Sequence, residues 1–170
     1  MDNNQLIDLS KDQLNRVLGF FPRVESITSV VLGVNLGMLA ILAANAPPIK
    51  SFDWPMLSAA VTLFFLGLSL WHIYQGFFPR LAGGRRSLIY FREIADRTES
   101  KFIDEFIAQK DEALIKDFLG QIWRNSEILT MKYDHLKSAF IMLSLAVIPW
   151  VISLAVFAAK NAETKTLLVK

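Results

Sequence analysis

The sequence predicts an all-α integral membrane protein: three transmembrane helices, arranged as a hairpin plus one C-terminal span, with a cytoplasmic amphipathic helical segment between spans 2 and 3. Of the 170 residues, 53% are hydrophobic, and they are gathered into long blocks instead of being spread along helix faces. Most Lys and Arg residues fall in segments that would share one side of a bilayer. Both observations are typical of a multi-pass membrane protein, and no segment has a strand pattern.

The first apolar block, residues 27–46, has 20 residues and no ionisable side chain. At about 1.5 Å per residue, a helix of that length covers the roughly 30 Å hydrocarbon core of a bilayer. The residues before it include Asp2 and Asp8, whereas a secretory signal begins with basic residues. We therefore predict a retained cytoplasmic N-terminal segment over residues 1–25 and transmembrane helix 1 over residues 26–46.

Two further blocks meet the same criterion. Residues 54–78 contain no Asp, Glu, Lys or Arg and a single histidine, His72, and residues 138–159 contain none of these five residue types. These blocks are predicted to be transmembrane helices 2 and 3. They leave a cytoplasmic helical region over residues 79–137 and a periplasmic tail over residues 160–170.

The distribution of basic residues predicts the orientation. Residues 1–25 and 79–137 together contain fourteen Lys and Arg residues, whereas the rest of the chain contains four. Cytoplasmic segments of membrane proteins carry an excess of Lys and Arg. We therefore expect the N-terminus in the cytoplasm.

Apolar residues in the region between spans 2 and 3 recur at helical spacing, as in Phe102, Ile103, Phe106 and Ile107. This spacing predicts amphipathic helices with one face available for packing. A last helix is expected to begin near Asp111 and to continue unbroken into span 3.

Two helix starts are predicted within this region. Ser87 follows two glycines and is expected to cap the N-terminus of one helix. Thr98 or Ser100 is expected to cap the next.

The residue types needed for catalysis or metal binding are scarce. Cysteine is absent, which excludes a disulfide framework and a thiolate site, and the only histidines are His72 and His135. His135 and Ser138 are three residues apart, a spacing that arises routinely on helices. We expect no enzyme, no metal and no cofactor. A net charge of +2 also makes nucleic acid an unexpected partner.

Span 1 contains a motif for helix contact. Gly33 and Gly37 have the small-xxx-small spacing that lets helix backbones approach closely, and Asn35 lies between them. We predict that these three residues mark a helix contact. Asn35 would either donate a hydrogen bond across that contact or line a polar path in an oligomer.

A basic cluster follows span 2 and is the segment most like a ligand site. Gly83 and Gly84 precede Arg85 and Arg86, with Arg92 on the following helix. Guanidinium groups bind phosphate oxygens bidentately, and glycines leave the backbone accessible. The same cluster is also explained by attraction to anionic lipid headgroups, so both interpretations stay open.

Short segments in a fixed order carry a family resemblance over nearly the whole chain. They are Phe21-Pro22-Arg23-Val24-Glu25-Ser26, Gly37-Met38-Leu39, Ser87-Leu88-Ile89-Tyr90-Phe91, Ile94-Ala95, Trp123-Arg124-Asn125-Ser126-Glu127-Ile128-Leu129, Lys132-Tyr133, Ala139-Phe140 and Pro149-Trp150. In these segments the chain resembles the transmembrane effectors of the bacterial Pycsar antiphage systems.

The resemblance implies an antiviral defence effector that is activated by a cyclic pyrimidine nucleotide, cyclic CMP or cyclic UMP, made by a partner nucleotide cyclase. The activated effector would impair the inner membrane and cause abortive infection. It implies a regulatory ligand instead of a cofactor, and we expect a homo-oligomer in the lipid bilayer.

Combining this implication with the basic cluster gives a hypothesis for the ligand site. The cyclic phosphate would bind among arginines, and an aromatic ring would stack on the base. The candidate residues are Arg85, Arg86, Arg92 and Arg124 for the phosphate, and Tyr90 or Trp123 for the base.

The alternative function is a non-gated membrane scaffold whose cytoplasmic helices bind a protein partner. A lipid-modifying enzyme ranks last, because the sequence offers neither paired inward carboxylates nor a histidine cluster at the membrane interface.

Overall fold

The protein is all-helical in a computed structural model that describes residues 2–47, 54–78, 84 and 86–168, and no strand occurs among these residues. Three helical segments are long and apolar enough to cross a membrane, which confirms the predicted fold class at that level. The helices are α1 (Asn3–Leu18), α2 (Phe20–Asn45), α3 (Trp54–Phe77), α4 (Phe91–Ala95), α5 (Glu99–Ile107) and α6 (Asp111–Leu168).

The chain forms two compact units. The charged unit consists of Met1–Val24 and Phe78–Tyr133, and the span unit consists of Glu25–Phe77 and Asp134–Lys170. The span unit therefore contains nearly all of α2, all of α3 and the C-terminal part of α6. The charged unit contains α1, α4, α5 and the N-terminal part of α6.

Helix α6 is continuous for 58 residues, as the sequence predicts from its start at Asp111. At 1.5 Å per residue its length is roughly 87 Å, far more than a membrane span requires. Pro149 lies inside it without ending it. One helix thus belongs to both units.

Buried positions in the span unit recur every three or four residues along each helix, which is the spacing of helices that pack side by side in bundles. They are Thr28, Val31, Asn35, Met38 and Leu42 on α2; Thr62, Leu66, Ser69 and Ile73 on α3; and Leu136, Ala139, Leu143, Ala146, Ser153 and Phe157 on α6. A stripe this narrow leaves most of each helix surface uncovered.

The uncovered surface is apolar. Only 28%, 28% and 22% of the most hydrophobic windows of the three spanning helices is buried, and large side chains such as Val30, Phe64 and Ile148 point outward. So large an exposed apolar surface would be unfavourable for a monomer in water, whereas in a membrane it would contact lipid tails. The exposure therefore supports assignment as a membrane protein.

Among the described residues, several hydrogen bonds join α6 to the other two helices of the span unit, including one from Asn161 Nδ2 to the Asn45 carbonyl at 3.2 Å. Ser69 Oγ donates to the Ala139 carbonyl at 2.9 Å, and the Ser58 and Ser153 hydroxyls are 2.9 Å apart. Trp150 Nε1 on α6 donates to the carbonyl of Met38 on α2 at 3.0 Å, which uses the indole N–H inside an apolar region. These bonds fix the register of α6 against α2 and α3.

Replacing Ser69 by Ala should lower the free energy of unfolding of the span unit by roughly 0.6 to 1.7 kcal/mol, because the bond to Ala139 is lost. The measurement is unfolding in mixed micelles with increasing SDS. Ser144→Ala is the matched control, since Ser144 Oγ bonds only to its own helix at Phe140. Equal effects of the two substitutions would contradict a role for Ser69 in joining helices.

Candidate ligand site

The backbone turns sharply just before α4. Arg86 has φ 63°, a left-handed conformation that non-glycine residues seldom adopt, and its N–H donates to Glu93 Oε2 at 2.7 Å. The carboxylate compensates for part of the strain, which costs about 1–3 kcal/mol at such positions. The turn leaves the Arg86 side chain exposed at the surface of the charged unit.

Ser87 is the centre of a hydrogen-bond network in this segment. Its side chain is buried, and its Oγ accepts from the N–H of Ile89 at 3.1 Å, the N–H of Tyr90 at 2.9 Å and Gln121 Nε2 at 3.1 Å. The prediction that Ser87 caps a helix is wrong, because α4 begins at Phe91 with Tyr90 as its N-cap. The hydroxyl instead closes a turn and attaches it to α6.

A second bond attaches the same turn to α6, since the N–H of Leu88 donates to Asp117 Oδ2 at 2.8 Å. Gly84 also lies close to α6: a Cβ at this position would be 3.4 Å from Gln121 Nε2 and 3.8 Å from the Arg124 guanidinium. A methyl group at position 84 would therefore touch the Gln121 side chain. Arg124 Nε is buried without a hydrogen-bond partner among the described residues.

Arg97 joins the turn to α5. Its Nε donates to Glu105 Oε2 at 2.8 Å, and its Nη1 donates to the carbonyls of Ser87, at 3.2 Å, and Glu93. The Arg97 side chain is only 10% exposed, so the ion pair with Glu105 is shielded from water on one side. Thr98 is the N-cap residue of α5, as predicted, although its side chain makes no capping bond.

These contacts border a cavity of about 620 Å³, here called the α4–α5 cavity. Its volume lies within the range of small-molecule sites. Its charged lining residues are Arg86, Arg97, Lys101 and Lys110 together with Glu93, Asp96 and Glu105. Arg97 and Lys101 lie within 4.0 Å of Glu105, whereas the side chains of Arg86 and Lys110 make no ion pair within the described part of the chain.

Three of the four predicted phosphate-binding arginines lie among the described residues, and they have different surroundings. Arg86 lines the α4–α5 cavity, Arg92 is exposed on α4, and Arg124 lies beside Gly84. Arg85 lies outside the described residues.

The two predicted base-stacking residues do not line the α4–α5 cavity. The Tyr90 ring packs edge-on against Phe91, with centroids 4.9 Å apart. Trp123 on α6 is 63% exposed, which leaves its indole available for contact. Both residues remain candidates for stacking outside the cavity.

The predicted helix-contact residues lie on different faces of α2. Gly33 and Gly37 are exposed, and apart from the chain neighbours and the backbone of α2, no atom of the described residues lies within 4 Å of a Cβ on either. Asn35 is fully buried between the helices of the span unit, where its Nδ2 donates to Val31 of its own helix at 2.8 Å. Its Oδ1 has no partner among the described residues, and leaving such a buried acceptor unpaired costs about 1–3 kcal/mol.

The two histidines do come together within the span unit, with ring centroids of His72 and His135 6.0 Å apart. Among the described residues, no group of three or more His, Cys, Asp and Glu side chains surrounds a possible metal position. The Nδ1 atom of His72 is buried and has no hydrogen-bond partner there.

Sequence reasoning did not identify Lys101, Lys110 and Glu105 as cavity residues. Lys101 and Glu105 have the i, i+4 spacing of a helical ion pair, which is a readable signal. Lys110 gave no such signal, because it lies in the turn before α6 and reaches the cavity only through the fold.

Replacing Ser87 by Ala should loosen the turn, because two backbone donors and the Gln121 amide lose their shared acceptor, at a cost of about 1–3 kcal/mol. Hydrogen exchange at the amides of Ile89 and Tyr90 should accelerate. Ser100→Ala is the control, because Ser100 is exposed in the first turn of α5. Unchanged exchange in the Ser87 variant would contradict its central position in the network.

Comparison with known proteins identifies the family. No curated protein and no solved structure matches the chain significantly. The family model described as the Pycsar effector protein domain matches residues 9–159, which is most of the chain. The match confirms the resemblance found in the sequence and implies an antiphage defence effector. The chain therefore belongs to the Pycsar effector family.

Proposed function

We propose that this protein is an antiphage effector activated by a cyclic pyrimidine nucleotide, cyclic CMP or cyclic UMP, and that the active form impairs the bacterial inner membrane and causes abortive infection. Family membership and three potential spans support this proposal. The observation that carries the ligand part is the α4–α5 cavity, which has the size of a small-molecule site and is lined by two cations, Arg86 and Lys110, that make no ion pair with the described residues.

The chemistry of the cavity suits a cyclic nucleotide. Arg86 and Lys110 are available for the single negative charge of a cyclic phosphate, because the nearby carboxylate Glu105 is engaged by Arg97. Gln109 also lines the cavity, and its amide offers both a donor and an acceptor to the edge of a base. Glu93 and Asp96 can accept hydrogen bonds from the ribose hydroxyl or from an exocyclic amine.

A route from the ligand to the membrane is built into α6. The turn at one side of the cavity is held to α6 through Asp117 and Gln121. The same helix continues without interruption to the residues of the third span. A ligand that binds one arrangement of the turn more tightly than another would therefore bias the position of a spanning helix.

The proposal includes the orientation of the chain in the membrane. A cytoplasmic N-terminus would place the charged unit where a cyclase releases its product. The excess of Lys and Arg in residues 1–25 and 79–137 supports this orientation. Cytoplasmic and periplasmic reporter fusions to the two termini measure it directly.

A non-gated scaffold is the second candidate. The exposed apolar residues Ile103, Phe106 and Ile107 on α5 favour it, because such a face is suited to a protein partner. The two candidates differ in cells: only the gated effector depolarises the membrane when a cyclic pyrimidine nucleotide is supplied.

Replacing Arg86 or Lys110 by Ala should weaken binding of the activating nucleotide about tenfold or more, since a hydrogen bond to a charged group is worth about 1.5–3 kcal/mol. The measurement is calorimetric titration of the purified protein in nanodiscs with cyclic CMP and cyclic UMP, with cyclic AMP for comparison. Arg16→Ala is the control, because Arg16 is exposed on α1 and does not line the cavity. Unchanged affinity in both cavity variants would place the ligand elsewhere.

Replacing Arg85 and Arg86 together by Ala should abolish nucleotide-dependent toxicity while the protein stays in the membrane fraction. Growth and membrane potential are followed in cells that co-express a cyclase. Full toxicity in this double variant would exclude both arginines from the ligand site.

A further inference from the structure

Four polar side chains of the span unit are completely buried between its helices. Asn35 lies on α2, Thr62 and Ser69 lie on α3, and Ser153 lies on α6, and each is 0% exposed. They lie on the same helix faces as the buried apolar residues, which recur every three or four residues. They therefore face the inside of the bundle. The outward faces are dominated by large apolar side chains.

Two of these four residues do not hold the helices together. Asn35 Nδ2 and Thr62 Oγ1 donate to carbonyls of their own helices, at Val31 and Ser58. Asn35 Oδ1 makes no hydrogen bond among the described residues. A Leu at position 35 would meet the packing needs of this arrangement without a buried unpaired acceptor. The polarity of Asn35 therefore fits a second arrangement, in which its amide meets water.

We propose that the inward faces of α2, α3 and α6 line a path for water and small ions, and that the structure shows this path closed. The inference rests on the proposed membrane-impairing function. An ion in a bilayer needs polar groups or water around it, and the polar side chains named above are all turned inward. Leu66 and Leu143 are buried on the same helix faces, where their side chains would exclude water from the closed path.

Hydrogen bonds between α6 and the other two helices hold the path closed. They include the Ser69–Ala139, Ser58–Ser153 and Trp150–Met38 bonds. Opening therefore requires a displacement of α6 from α2 and α3. Asn35, Thr62 and Ser153 would then become accessible to water.

A disulfide between positions 58 and 153 tests this inference. The hydroxyl oxygens are 2.9 Å apart, close enough for the two sulfur atoms of Ser58→Cys/Ser153→Cys to bond after small adjustments. The natural chain has no cysteine, so no other pairing competes. With copper phenanthroline as oxidant, nucleotide-dependent depolarisation should fall at least tenfold, and dithiothreitol should restore it in the same variant. In either single-cysteine variant, oxidant should make no difference.

Cysteine accessibility supplies a second measurement. In membrane vesicles, Asn35→Cys should react at least tenfold faster with a charged methanethiosulfonate reagent when the activating nucleotide is present. Val34→Cys, on the neighbouring outward-facing position, should stay unreactive in both states because lipid covers it.

The outcomes separate the inference from the function on which it rests. A wild-type protein that does not depolarise cells with any cyclic pyrimidine nucleotide overturns the proposed function and the inference with it. A responsive wild type whose cross-linked variant depolarises equally well overturns the inference alone. So does equal reactivity of Asn35→Cys with and without nucleotide.

Discussion

The absence of water from the core of a bilayer is the constraint on which the rest of this structure depends. Backbone groups in such a medium must bond within the protein, and helices satisfy them one residue at a time. Side chains are sorted by the same rule, so Ser69 and Ser153 are buried and make their bonds inside, while Val30, Phe64 and Ile148 face outward. Each helix can therefore pack through a narrow stripe of residues, because lipid tails contact the apolar faces that the neighbouring helices leave uncovered.

The charged unit is shaped mainly by polar contacts. Ser87, Asp117 and Gln121 hold an irregular turn against α6, and Arg97 holds the same turn to α5 through Glu105. Irregular backbone of this kind would be intolerable in hydrocarbon. The two units therefore use their contacts differently: narrow packing stripes and a few hydrogen bonds between helices hold the spans in register, whereas a hydrogen-bond network shapes the cavity.

The helices of the span unit could be predicted from the sequence, whereas the cavity of the charged unit could not. Uncharged blocks of about 20 residues are a strong signal for spans, and the continuity of α6 from Asp111 followed from helical spacing. The cavity was not predictable, because it depends on the left-handed backbone of Arg86 and on a serine that bonds to three partners. The sequence suggested that Ser87 caps a helix, because a serine hydroxyl accepts hydrogen bonds from nearby backbone N–H groups both at a helix N-terminus and inside a turn. Asn35 was identified as polar and central, but its inward direction required the structure.

Gly33 and Gly37 have one more consequence. Beyond the chain neighbours and the backbone of α2 itself, no atom of the described residues lies within 4 Å of a Cβ at either position, so packing within the described part of the chain does not require glycine there. A requirement for small residues at these positions would therefore point to a surface outside that part of the chain. Substitution of Gly33 or Gly37 by a bulky residue therefore distinguishes two surroundings. If the protein tolerates the substitution, only fluid lipid touches this face of α2. If it does not, a neighbouring protein surface packs there.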